Sequence, residues 1–154
     1  MDKFHIHALP AGLLTRVRSS GRDVSGSSIV RSRAEGGEPL RCCLRNARDG
    51  EAIILFGYEP PIAAGSPYRE LGAVFAHAEP CAGPPSPDEY PPAWRGKPQV
   101  LRSYDERGHI HAAVVHDGSD PDAEIARLLA DPAAVQVHSR NVAYGCFMFV
   151  ITRD

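Results

Sequence analysis

The chain has 154 residues, 43% of them hydrophobic and 23% charged, with a formal net charge of −2. Its 14 Gly and 14 Pro, about 18% of the chain against roughly 12% in average usage, exclude a helical bundle or coiled coil, which could not carry so many helix breakers. Apolar runs far below the ~20 residues of a membrane span exclude that class, and the balanced charge argues against nucleic acid or an acidic membrane as partner.

What remains is one turn-rich domain, residues 1–154, with much strand. Phe4 to Ala8 alternates apolar residues with His and reads as a short edge strand. Leu13, Leu14 and Val17 sit at helical spacing, so a short helix is expected over 11–19, ended by Ser-Ser-Gly21. Residues 20–38 are rich in Ser, Gly and Arg and read as loop with one short strand at Ile29-Val30. Leu40 to Leu44 and Ala52 to Tyr58 flank Asn46-Ala-Arg-Asp-Gly50, a hairpin signal, and Ala73 to Ala78 is a further strand. Residues 79–98 hold seven of the 14 prolines and can be neither helix nor ladder for long. A segment of this length without regular structure reads as an ordered cover, residues 82–98, pinned by Tyr90 and Trp94.

Gln99 to Tyr104 and His109 to His116 read as a hairpin around Asp105-Glu-Arg-Gly108. Asp120 is a good N-cap and Pro121 suits the first helical position, with Ile125, Leu128 and Leu129 forming one apolar stripe before Asp131-Pro132. Ala134 to Arg140 and Gly145 to Thr152 form a last hairpin, and Cys146 to Ile151 is apolar on both faces, as a central strand covered on both sides would be. The fold class is α+β: a mostly antiparallel β-sheet with one or two short helices and a long Pro-rich loop.

Eight Arg lie between Arg16 and Arg48 against Asp23, Glu35 and Glu38, while Asp117 to Asp131 carries five acids against Arg127. This is the pattern of a solvated basic segment balanced by an acidic helix elsewhere, and no interleaved aromatics favour a stacked single strand. The N-terminal residues carry no apolar leader, so the four cysteines are expected as free thiols in a reducing, cytoplasmic compartment. Cys42 and Cys43 are neighbours; on an extended strand their side chains would face opposite ways, so at most one would serve any given site.

Two places carry chemistry. In the 99–116 hairpin, a four-residue loop sets Tyr104 opposite His109 and Arg102 opposite His111, giving a face of Arg102, Tyr104, His109 and His111 suited to holding an anion. A solvated hairpin face would look the same. The second place is His77-Ala-Glu-Pro-Cys81, where His77, Glu79 and Cys81 are candidate catalytic residues and His77 and Cys81 candidate metal ligands, with Cys146 or Cys42 as a further one. The bland alternative is a strand-end His bonded to loop backbone beside an inert thiol. His77-Ala-Glu79 also matches the start of the zinc nucleoside-deaminase signature, but no second Cys follows Cys81 at the required spacing, which removes two expected ligands. Thiol catalysis would draw on Cys81, Cys146, Cys42 or Cys43 with His77, His111 or His138 as base, and no local pattern marks any of them.

Taken in order, Arg41-Cys-Cys-Leu-Arg45 before an Asp-Gly-Glu turn, Ser66-Pro-Tyr68, Val74-Phe-Ala-His-Ala-Glu-Pro-Cys81, Leu101-Arg-Ser-Tyr-Asp105, Arg140-Asn141 and Gly145-Cys-Phe147 form an ordered series. It resembles an uncharacterised bacterial family, domain of unknown function family 1203, from about Phe4 to Arg153. The resemblance implies a single-domain, stand-alone bacterial protein and brings no activity, cofactor or catalytic residues with it.

The residues themselves point to a cytosolic domain binding a small, anionic metabolite between His77-Ala-Glu-Pro-Cys81, the Arg102/Tyr104/His111 face and Arg140-Asn141, with 82–98 as cover. The alternatives are a metal-dependent enzyme using His77 and Cys81, and a non-catalytic module that pairs with a second copy through the Phe4–Ala8 edge. No cofactor is named by the sequence.

Overall fold

The computed structural model describes residues 3–154; Met1 and Asp2, the first residues of the stretch read for a leader, lie outside the described residues. In chain order the elements are β1 (Phe4–His7), α1 (Ala11–Ser20), β2 (Val30–Arg33), β3 (Pro39–Leu40), β4 (Arg45–Asn46), β5 (Ala52–Tyr58), β6 (Gly72–His77), β7 (Gln99–Tyr104), β8 (Ile110–His116), α2 (Pro121–Leu129), β9 (Gln136–Arg140) and β10 (Phe147–Arg153). They form two five-stranded sheets, β1-β10-β9-β7-β8 and β2-β5-β6-β3-β4, where the sequence suggests only one. Pairing is antiparallel except for the single parallel contact of Leu40 with Phe75. The class is α+β, and no helix among the described residues is long and apolar enough to cross a membrane.

Burial explains why β10 is apolar on both faces. Met148, Phe149 and Ile151 pack with α2, Tyr90 and Trp94. Phe147 and Val150 pack the other way, against β5, β6 and α1 of the second layer. A bulge between Phe147 and Phe149, facing Arg140 and Ser139 of β9, shifts the alternation so that neighbouring large residues are all buried. Helix α2 starts as its sequence dictates: Asp120 accepts the Ala123 N–H at 3.1 Å and Pro121 occupies the first turn. Helix α1 ends on Gly21 at φ 68°, the left-handed stop that favours glycine.

The Pro-rich segment is tied down without regular structure apart from one 3-10 turn, Pro92–Trp94. The Trp94 ring stacks on Phe149 at 5.9 Å between centroids and donates its indole N–H to Asn46 Oδ1 at 2.8 Å. Tyr90 is fully buried beside it, edge-on to Phe149. The segment thus covers the apolar face of the first sheet, as large aromatic anchors do when the backbone cannot pair. It also meets the outer edge of β1, where Ile6 donates its N–H to Pro87 O at 2.7 Å.

Three local expectations need correction. Residues 41–44 are a turn and not part of a strand, and β5 pairs with β2 and β6 instead of with 40–44. The cause is Arg41, whose side chain is buried (2% exposed) and donates to the carbonyls of Phe147 and Pro39. Pulling that guanidinium inward bends the chain, and Leu44, at φ 58°, closes the turn by donating its N–H to Leu40 O. The β7–β8 register also differs: Tyr104 faces Ile110, Ser103 faces Ala112 and Arg102 faces Ala113, because an irregularity between Ser103 and Tyr104 displaces the pairing. Arg102 and His111 are therefore not cross-strand partners. Tyr104, expected on an open face, is buried against His138 at 4.6 Å between ring centroids.

Candidate metal centre

The turn at 41–44 decides the chemistry. On an extended strand Cys42 and Cys43 would face apart, but successive residues of a turn project at a smaller angle, and here both of these buried side chains enter one site. That corrects the expectation that at most one of them could serve a site. His77, the last residue of β6, reaches the same point, and Cys81 follows four residues later, just beyond Pro80. Cys42, Cys43, His77 and Cys81 offer four ligand atoms that all lie within 4.8 Å of one another, a Cys3His cluster that could hold a metal ion.

The separations carry more information than the proximity. Cys42 Sγ to Cys43 Sγ is 3.9 Å, Cys42 Sγ to His77 Nδ1 is 3.5 Å and Cys43 Sγ to His77 Nδ1 is 3.8 Å. For a tetrahedral ion with Zn–S of about 2.3 Å and Zn–N of about 2.0–2.1 Å, the S···S edges are about 3.8 Å and the S···N edges about 3.5–3.6 Å. These three edges match one face of such a tetrahedron, and Cys81 Sγ lies within 4.8 Å of each of the three atoms.

The surrounding groups fix the His77 ring. Glu51 Oε2 lies 2.7 Å from His77 Nε2. A carboxylate only accepts, so Nε2 carries the proton and Nδ1 turns its lone pair to the thiols. The 3.2 Å approach of Arg45 Nη2 to the same Nε2 follows from both groups donating to Oε2. Glu51 is itself fixed by two bonds from Arg45 at 2.8 and 2.9 Å and by the Arg48 N–H at 2.7 Å. These donors, Arg45 foremost, then the Arg48 N–H and His77, hold its carboxyl well below the usual carboxylate range. The backbone places Glu51 there, since Ile53 pairs with His77 across β5–β6 and Ala78 donates to Ala52 O.

Cys42 Sγ accepts the His77 backbone N–H at 3.2 Å, a bond that favours a thiolate. In the thiol state Cys42 donates to Cys43; that bond, with burial, pushes the Cys42 thiol up, and the same bond lowers that of Cys43 against the opposing effect of burial. Burial raises that of Cys81.

The other sequence candidates lie elsewhere. Glu79 is exposed between His77 and Cys81. Arg102, Tyr104, His111, Arg140 and Asn141 belong to the first sheet and its last turn, whereas His77 belongs to the second. Tyr104 and Arg140 share a small dent with His138, where Arg140 pairs with Glu70. His111 bonds Asp131 at 2.7 Å, and Asn141 Oδ1 accepts the Tyr144 N–H within its own turn. Cys146 sits apart from the cluster, its thiol directed at Tyr144 O. A cleft of about 500 Å3, with Leu9, Tyr58, Phe147 and Val150 in its wall, opens between the sheets, and none of these candidates lines it.

Sequence reasoning names His77 and Cys81 and offers Cys42, but misses Cys43 and Glu51. The signal for Glu51 was the Asp49-Gly50 turn, which delivers the next residue to the start of the strand that pairs with the His77 strand.

No curated protein and no solved structure matches the chain. A family model does match, over residues 37–153, that of a protein of unknown function, DUF1203. The match takes in the 41–44 turn, Glu51, His77, Cys81 and every strand from β3 to β10. The chain therefore belongs to the DUF1203 family.

Proposed function

We propose that the protein is a zinc-binding protein in which Cys42, Cys43, His77 Nδ1 and Cys81 hold one Zn2+. The observation that carries this reading is the set of ligand separations, 3.5, 3.8 and 3.9 Å, which are tetrahedral edges. A donor set of three sulfurs and one imidazole favours zinc over the oxygen-seeking cations. The carboxylate–histidine pair Glu51–His77 is the outer-shell partner such a site uses. Four protein ligands leave no open position for substrate, which favours an ion that organises the fold over a metal-dependent enzyme. The ion would join the 41–44 turn, the end of β6 and the start of the Pro-rich segment.

The anionic-metabolite reading rests on Arg102, Tyr104, His111, Arg140 and Asn141, where Glu70 and Asp131 already answer Arg140 and His111. It is the weaker of the two. Elemental analysis of protein purified without an affinity tag tests the metal reading. One zinc per chain is expected, falling to substoichiometric levels in His77→Ala and Cys43→Ser. Substoichiometric zinc in the wild-type protein, not restored by added Zn2+, would overturn it.

A further inference from the structure

A redox response of the same site rests on the metal reading above and follows from how unevenly its sulfurs meet solvent. Cys42 and Cys43 are buried, at 3% and 7% exposure, whereas Cys81 is exposed. An oxidant arriving from solvent therefore meets Cys81 first. A disulfide between the neighbours Cys42 and Cys43 would be strained, so a bond formed within the cluster uses Cys81. Its partner sulfurs are within 4.8 Å, and a Cys81 carried by irregular chain after Pro80 has the freedom to close that distance. The two candidates for partner are not equivalent. Cys42 Sγ is held by the His77 N–H, which draws on its lone pair, and no backbone N–H is directed at Cys43 Sγ among the described contacts.

We propose that Cys81 is a peroxide-sensitive thiolate and that Cys43 is its resolving partner, so that hydroperoxides convert the zinc-holding cluster into a disulfide and expel the ion. The Cys81 thiolate attacks one peroxide oxygen. The S–O bond forms, the O–O bond breaks, and hydroxide leaves, giving the sulfenic acid. The Cys43 thiolate then attacks the Cys81 sulfur, forming S–S and breaking S–O, with a second hydroxide leaving. Two thiolates lose two electrons in total, and hydrogen peroxide takes them to become two hydroxides. Zinc is left with Cys42 and His77 alone and dissociates.

The experiment uses the full chain loaded with zinc, treated with hydrogen peroxide in the presence of a chromophoric zinc indicator. One zinc should be released for every two thiols lost, and the oxidised chain should be lighter by two hydrogens. Peptide mapping should find Cys43 joined to Cys81, and dithiothreitol with added zinc should restore the starting state. Cys146→Ser should release zinc at the wild-type rate, and Cys81→Ser about tenfold more slowly. Where Cys81→Ser no longer holds zinc, alkylation mapping of wild-type protein after a short peroxide pulse gives the order of attack directly. Zinc that stays bound through peroxide, Cys81 driven to sulfinic acid without a disulfide, or a Cys42–Cys81 bond as the main product would overturn the proposal. A chain that never binds zinc would instead overturn the metal reading on which it rests.

Discussion

Glu51→Gln changes one atom and should report on the metal centre without touching a ligand. Each oxygen of Glu51 is used twice: Oε1 accepts from Arg45 Nη1 and the Arg48 N–H, and Oε2 from Arg45 Nη2 and His77 Nε2. Whichever way the Gln amide turns, its NH2 faces two donors, so two bonds are lost and two N–H groups are set against it. If the NH2 faces His77, the imidazole loses the acceptor that holds its proton on Nε2 and its lone pair on the metal side. Loss of such an outer-shell partner costs about 10- to 100-fold in metal affinity, or about 1.4–2.7 kcal/mol. The Arg45–Glu51 pair is about a quarter to a third exposed and adds little on its own, at most about 1 kcal/mol. Zinc competition against a chelator of known affinity at neutral pH should therefore give a Kd raised by about one to two decades. The denaturant midpoint of the metal-free protein should move much less. A Glu51→Gln protein that binds zinc within about twofold of wild type would refute the outer-shell role. One that lost apo stability as much as zinc affinity would make Glu51 a fold residue.

His138 is 2% exposed, packed between Tyr104 and Phe147, and burial pulls its imidazole from the ordinary 6.5 down to about 4. A histidine whose folded value is depressed binds fewer protons folded than unfolded, so its contribution is intact above pH 6.5 and is lost between 6.5 and about 4, at about 1.4 kcal/mol per pH unit and about 3 kcal/mol in all. Urea midpoints across that window should flatten by this slope in His138→Gln, and an unchanged slope would refute the burial argument. Gly118 sits at φ 87°, where a Cβ would lie 2.3 Å from Lys97 N and 2.6 Å from Gly96 C. Gly118→Ala should lower stability by about 3 kcal/mol in denaturant melts, from the left-handed backbone and overpacking together, and a loss under about 1 kcal/mol would show that the Gly96–Lys97 segment yields easily. Trp94→Ala should cost about 3–5 kcal/mol and expose the Pro-rich segment to limited proteolysis; resistance equal to wild type would mean that Tyr90 anchors the segment alone.

Local features were legible wherever one residue's own backbone chemistry decided them. Asp120-Pro121 set the start of α2, Gly21 the end of α1, and an unbroken apolar run marked β10 as central. What depended on distant partners was not legible. The two-sheet arrangement follows from β5 choosing β2 and β6 over the adjacent 40–44 stretch, and no local pattern encodes that choice. The metal cluster was lost for the same reason in sharper form. Cys42 and Cys43 look like strand residues because Leu40 and Leu44 flank them, yet Arg41 reverses the reading by burying its charge against Phe147 O, more than a hundred residues away in sequence. That burial holds the guanidinium down to about 10 with no carboxylate partner among the described ion pairs, so the turn is maintained against a desolvation penalty. An energetically unfavourable residue at the hinge of the Cys3His cluster is the kind of local inconsistency expected beside the proposed zinc site. It sets the two cysteines side by side in the cluster that could hold a metal ion, where the periodicity alone would have drawn a strand.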